Sequence, residues 1–248
     1  MRHTLILSKR TTKEILRDPL NLAFGLGFPL VILGLLSAIQ SHVPKGAAPD
    51  LFEISKLAPA ITVFGLAFMT LFSATLISKD RTSALLLRLY TTPLRPLDYI
   101  LGYLLPMVPI ALVQTAICYL FGLILGLKWM PNILLCLLLC LPSAWIFIAL
   151  GLLCGSVFND KQVGGICGAL LTNLTAWLSG IWFDVGLVGG AFKTAANILP
   201  FSHAVELQRS VYTGAFSAAW PHLAVVSAWA LGVTVFAVWA FLAQMRKN

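Results

Sequence analysis

His203, Glu206 and Arg209 follow one another at three-residue intervals, which would set an imidazole, a carboxylate and a guanidinium on one helix face. Such a set suits a structural ion pair, or a gate for a polar solute at the extracytoplasmic end of a membrane protein. Thr172, Asn173, Thr175 and Ser179 form a second group, with hydroxyl and small residues recurring at steps of three and four from Gly165 onward. That spacing gives a helix one face fit for a polar path or for close helix packing. Cys136 and Cys140 are four apart, but no His or carboxylate lies near them to complete a metal site. Together with Cys118, Cys154 and Cys167 they fall inside apolar runs and read as packing residues, so no metal site and no disulfide framework is expected. No Ser, His, Asp or Cys set has catalytic spacing within the apolar runs. Catalytic residues on this chain are therefore not expected, although an intramembrane acyltransferase or lipid-modifying enzyme and a non-transporting scaffold stay open as alternatives.

The elements that position these groups follow from composition. The 248 residues are 59% hydrophobic and 10% charged, with a mean hydropathy of +0.90. A soluble domain carries about 25% charged residues. A polytopic all-α membrane protein is the expected class. A helix needs roughly 20 apolar residues to cross a hydrocarbon core of ~30 Å, and six such spans fit, at 20–39, 57–78, 100–127, 131–158, 162–183 and 222–245. Residues 1–19 carry Arg2, Lys9, Arg10, Lys13 and Arg17 around a weak stripe of Leu5, Ile15 and Leu16, which suits an amphipathic helix on the membrane surface. Asp18-Pro19 supplies the start of the first span, a capping carboxylate followed by a proline tolerated in the first turn. Residues 184–221 are too polar to span and read as an extracytoplasmic re-entrant or interfacial segment.

The segment 79–99 is the longest charged stretch between two apolar runs. Asp80 would cap a short helix bearing Leu85 and Leu89, with Arg81 and Arg88 on its outer side. Asn159-Asp160-Lys161 makes only a tight turn between neighbouring spans. With six spans, the side holding both termini, 79–99 and this turn carries 12 Lys and Arg against 5 on the other, so the positive-inside bias puts both termini in the cytoplasm. The net charge of +8 then suits phospholipid headgroups rather than nucleic acid. The spans hold almost no charge, which disfavours a carrier driven by protons or sodium.

Several blocks occur in an order that resembles the permease subunits of type-2 ABC exporters. They are Leu16-Arg17-Asp18-Pro19, then Asp80-Arg81-Thr82-Ser83 leading to Thr92-Pro93-Leu94 and Tyr99-Ile100-Leu101-Gly102. Gly151 to Asn159, Ser179-Gly180-Ile181-Trp182-Phe183 and Leu199-Pro200-Phe201-Ser202-His203-Ala204 follow. The chain departs from the family where Asp184-Val185 replaces a common proline, which leaves the cargo open. The resemblance implies a cell-membrane efflux permease that forms a path with a second permease, a copy or a relative, driven by a pair of ABC ATPases. The sequence holds no G-x-x-x-x-G-K-[ST] motif, so ATP and Mg would bind the partner and no cofactor this chain. On the same footing the ATPase would dock on Asp80, Arg81, Thr82, Ser83, Leu85, Arg88 and Leu89, with Asn159, Asp160 and Lys161. Thr172, Asn173, Thr175 and Ser179 would face an amphiphilic, drug-like or lipid-linked cargo.

Overall fold

The computed structural model describes residues 2–43, 52–82 and 96–245, and among these it is helical without strands. Five stretches are long and apolar enough to cross a membrane: Ala23–His42, Ile54–Arg81, Asp98–Ile124, Asn132–Val157 and Phe216–Gln244. The molecule is an all-α polytopic membrane protein. The stretch expected as a fifth span is helical from Asp160 to Leu178, roughly 28 Å at about 1.5 Å per residue. It falls outside the five because Lys161, Gln162, Asn173 and several glycines dilute its apolar character.

Helix α1 (Arg2–Leu16) comes first, followed by α2 (Pro19–Leu22), a π turn (Ala23–Gly27) and α3 (Phe28–His42), which together form one rod. Asp18 starts this rod: its carboxylate accepts from the Asn21 backbone N–H at 3.1 Å and the Asn21 side chain at 2.7 Å. Pro19 stands in the first turn, where its missing N–H costs nothing. The buried stripe of α1 is Thr4, Leu7, Thr11 and Ile15. Of the three residues expected to form that stripe only Ile15 is buried, while Leu5 and Leu16 stand on the opposite side. Two threonines serve on a buried face because each satisfies its hydroxyl, Thr11 on the Leu7 carbonyl and Thr4 on Asp98.

Helix α4 (Ile54–Thr82) is the hub, with 89% of its apolar window buried inside the chain against 17% for the first span. Against it pack α5 (Pro96–Leu104) and α6 (Met107–Ile124), separated at Leu105-Pro106, and α8 (Leu141–Val157), which α7 (Asn132–Leu139) precedes across Cys140. The tightest packing is α4 on α8, and glycine makes it possible. A Cβ on Gly151 would lie 1.6 Å from Ser73 Oγ, and one on Gly155 only 2.6 Å from the Ala74 carbonyl oxygen. With the backbones this close, Thr70 Oγ1 donates to the Phe147 carbonyl at 2.9 Å and Ser73 Oγ reaches that of Ile148 at 3.3 Å. Small residues and interhelical hydrogen bonds replace the hydrophobic drive that lipid cannot supply.

The rod from Asp160 to Leu178 consists of α9 (Asp160–Val163), a π segment (Gly164–Leu171) and α10 (Thr172–Leu178). After it come α11 (Val185–Val188), α12 (Gly190–Ile198) and α13 (Pro200–Thr213), then the last span, α14 (Phe216–Met245). Helix α13 ends on Gly214 at φ +78°, a left-handed cap that favours glycine. It packs against α14, α4 and α7, burying Phe201, Val205, Leu207 and Val211. Gln208 is fully buried with them, taking the Tyr119 hydroxyl at 3.0 Å and giving its amide to the Cys136 carbonyl at 3.2 Å.

Candidate functional site

Three clusters hold the residues singled out by sequence, and the first gathers at the Asp80 end of α4. Asp80 is 3% exposed, yet three donors surround its carboxylate. Arg10 gives a two-pronged pair of hydrogen bonds at 2.6 and 2.7 Å, and the Tyr103 hydroxyl a third at 2.6 Å. Bidentate geometry makes this the strong form of a guanidinium–carboxylate contact. The bonds to Asp80 hold the Arg10 guanidinium still more firmly in its charged form, against the opposing pull of partial burial. Arg10 also pairs with Glu14 at 2.9 Å. Burial, and then the nearby Asp80 charge, push the Glu14 carboxyl above the usual carboxylate range.

Arg81, the next residue, turns to the other side. Its guanidinium donates to the Ser156 carbonyl and, at 2.6 Å, to that of Phe158, satisfying acceptors left over at the end of α8. Ser78 donates to Asp160 at 2.7 Å, and Asn159 and Gln162 close a capping box at the start of α9. Lys161 is exposed on the same turn. Thr82 is the last residue of α4, and Ser83, Leu85, Arg88 and Leu89 lie outside the described residues.

Helix α1 also reaches the far side of the 83–95 segment. Thr4 Oγ1 donates to Asp98 at 2.5 Å, and Leu7 sits so close over Gly102 that a Cβ there would meet its Cδ2 at 2.5 Å. One surface helix thus fastens the last turn of α4 through Arg10 and the first turns of α5 through Thr4 and Leu7. Neither Arg10 nor Tyr103 was picked out from sequence as a partner of Asp80. The periodicity of Thr4, Leu7, Thr11 and Ile15 was the signal available for the buried face of α1.

The second cluster lies on the rod from Asp160 to Leu178 and just past its end. Thr172, Thr175 and Ser179 are buried within the chain, and their hydroxyls bond the local carbonyls of Cys167, Leu171 and Ala176. Asn173 alone of the four is exposed, its amide donating to the Ala169 carbonyl at 2.8 Å. Gly165, Ala169, Leu170, Leu174 and Trp177 are exposed with it. The group therefore divides between two sides of the helix.

The third cluster lines a cleft of about 620 Å³ between the start of α4, α11, α12, α13 and the start of α14. Arg209 pairs with Glu206 at 2.8 Å and donates to the Lys56 carbonyl at 3.2 Å, while its Nη2 is buried without a partner. His203 takes a different partner. Its Nε2 lies 2.9 Å from the Asn197 carbonyl and its Nδ1 2.8 Å from Nδ1 of His222. A carbonyl only accepts, so His203 donates from Nε2 to Asn197, and one proton is shared between the two facing Nδ1 atoms. His222 stands at the start of a span by sequence, which gave no reason to connect it with this face. Among the described residues no three His, Cys, Asp or Glu side chains gather into a metal site.

The family comparison agrees with this architecture. A family model described as ABC-2 type transporter matches residues 2–213, a range that takes in the first two clusters and all of the third except His222. No curated protein matches the chain. With that match over most of its length and an all-helical membrane architecture beneath it, the chain belongs to the ABC-2 type transporter family, as a permease subunit.

Proposed function

We propose that the chain is the permease of an exporter in the cell membrane, with both termini in the cytoplasm and six spans, the rod from Asp160 completing the set. Two permeases, identical or related, form the path, and a pair of ABC ATPases binding ATP and Mg drives it. The ATPase docks on the 79–99 segment, which meets it through Thr82, Ser83, Leu85, Arg88 and Leu89, with Lys161 of the neighbouring turn. Asp80 and Arg81 serve this surface from behind, since both side chains are engaged within the chain. The observation that carries the reading is the fastening of α1 to both α4 and α5 around residues 83–95. A push on a segment tied this way moves the ends of two spans together rather than bending a free loop.

The exposed side of the Asp160–Leu178 rod, with Asn173 at its centre, faces the path or the second permease. A polar amide on a membrane helix suits protein or water better than lipid. Glu206 and Arg209 form an ion pair at the extracytoplasmic end beside His203, and the mainly aliphatic and aromatic surroundings of the path fit an amphiphilic cargo. The test is co-purification of the chain from its native membrane, followed by ATP hydrolysis. An ABC ATPase is expected in the complex, and Arg88→Ala/Leu89→Ala should release it while leaving the permease folded. A complex without any ATPase would remove the basis of this reading.

A further inference from the structure

We infer that the outward face of α1 is a binding site for anionic phospholipid headgroups. The buried stripe of α1 leaves Lys9, Lys13 and Arg17 on the opposite side, one helical turn apart. They line a cleft of about 500 Å³ with Ile6, Arg10 and Glu14. The only acid there, Glu14, is already paired with Arg10, whose guanidinium is also held by Asp80. Lys9, Lys13 and Arg17 have no acidic partner among the described residues, so the row presents three uncompensated cations. Exposed Leu5, Ile6 and Leu16 flank it, at 66%, 62% and 63% exposure. Cations set between exposed aliphatic side chains match the two chemistries of a lipid at the interface, a phosphate diester above and acyl carbon below.

The occupant follows from charge and position. A neutral headgroup leaves the row uncompensated, and a soluble anion leaves the three aliphatic side chains in water. The inference rests on the reading above in one respect, that α1 lies at the cytoplasmic surface of the membrane. It adds a consequence, because the same helix holds Asp80 through Arg10: lipid occupancy of one face steadies the clamp on the other.

The full chain, purified into mixed micelles of equimolar phosphatidylglycerol and phosphatidylcholine, provides the test by native mass spectrometry of retained lipid. The wild type should retain phosphatidylglycerol in preference. Each cation contributes about five-fold, so Lys9→Gln/Lys13→Gln/Arg17→Gln should lower the preference by about a hundred-fold. Lys9→Arg/Lys13→Arg, which keeps the charge, should preserve it. An unchanged preference in the glutamine variant would overturn the inference, as would no preference in the wild type. Displacement of the lipid by excess inorganic phosphate alone would show a simple anion site and also count against it. No ATPase is needed for this measurement, so its failure leaves the transport reading standing, and loss of a co-purifying ATPase from the glutamine variant without any lipid preference would assign the face to protein instead.

Discussion

Asp80 is a carboxylate almost removed from solvent, and Arg10 and Tyr103 donate hydrogen bonds to it. Removing one partner of such a pair strands a buried charge, which costs more than the pair itself contributes. Arg10→Ala should therefore destabilise the chain by about 3 kcal/mol, read as a lower midpoint of thermal unfolding in detergent. Arg10→Ala/Asp80→Ala should recover part of that loss, because the stranded charge goes with it; strictly additive effects would show the two side chains to be uncoupled. Tyr103→Phe, which removes one hydrogen bond to a charged group, should cost less, about 1.5 kcal/mol. The charge at Asp80 and Arg81 stands out in the sequence between two apolar runs. Their partners do not, because Arg10 is 70 residues away from Asp80 and Ser156 is 75 from Arg81. Nothing local in a sequence encodes a pairing over that distance.

At the scale of helices, spacing alone could not separate two of the G-x-x-x-G pairs in this chain, Gly122 with Gly126 and Gly151 with Gly155. Gly151 and Gly155 lie in the α4–α8 contact, whereas Gly126 ends its helix at φ +100° with open space around it. Gly151→Ala should cost about 3 kcal/mol, at the upper end of overpacking effects, since the added methyl meets Ser73 and the Thr70 carbonyl. Gly165→Ala meets nothing within 4 Å. It should leave the monomer as stable or raise it by up to about 1 kcal/mol through helix propensity. The two unfolding midpoints check both statements, and equal losses would contradict the packing described.

The rod from Asp160 shows a different limit of periodic reading. Its hydroxyl residues fall at helical steps, but the π segment carries an extra residue per turn, and Thr172 accordingly bonds the carbonyl of Cys167 five residues back. A face drawn with 3.6 residues per turn slips there, so Gly165 is exposed while Thr172, Thr175 and Ser179 are buried. Asn173, two residues from Thr175, stands on the other side by ordinary helical geometry. Thr175→Leu should destabilise by about 2 kcal/mol through overpacking. Asn173→Leu should leave the unfolding midpoint in place and lower export several-fold in reconstituted vesicles. Full export by Asn173→Leu would remove this residue from the path.

For the whole molecule, composition was enough to read an all-helical membrane protein, and the order of short blocks enough to point to its family. The number of spans was less legible, because the Asp160–Leu178 rod is long enough to cross but too dilute in apolar residues to register as the other five do. One side of it packs on α4, and Asn173 stands on its exposed side. The hub position of α4 was likewise hidden, since each apolar run looks equally fit for lipid until packing partners are known. What the assembled chain offers is a mechanical connection: α1 binds the last turn of α4 to the first turns of α5, and Arg81 with Ser78 binds α4 to the turn at Asn159–Lys161. The Asp80 end of α4, the helix in contact with most of the others, is thereby tied to α1, α5 and that turn.

The central claim is that the 79–99 segment receives the ATPase. Its direct test is cross-linking with a thiol-to-amine reagent from a cysteine placed at Leu89 to lysines of the ATPase that co-purifies with the chain; the five native cysteines are all buried and leave the background low. The account predicts a covalent permease–ATPase product from Leu89→Cys and none from Lys193→Cys, at the other end of the molecule. A product from Lys193→Cys but not from Leu89→Cys would contradict it.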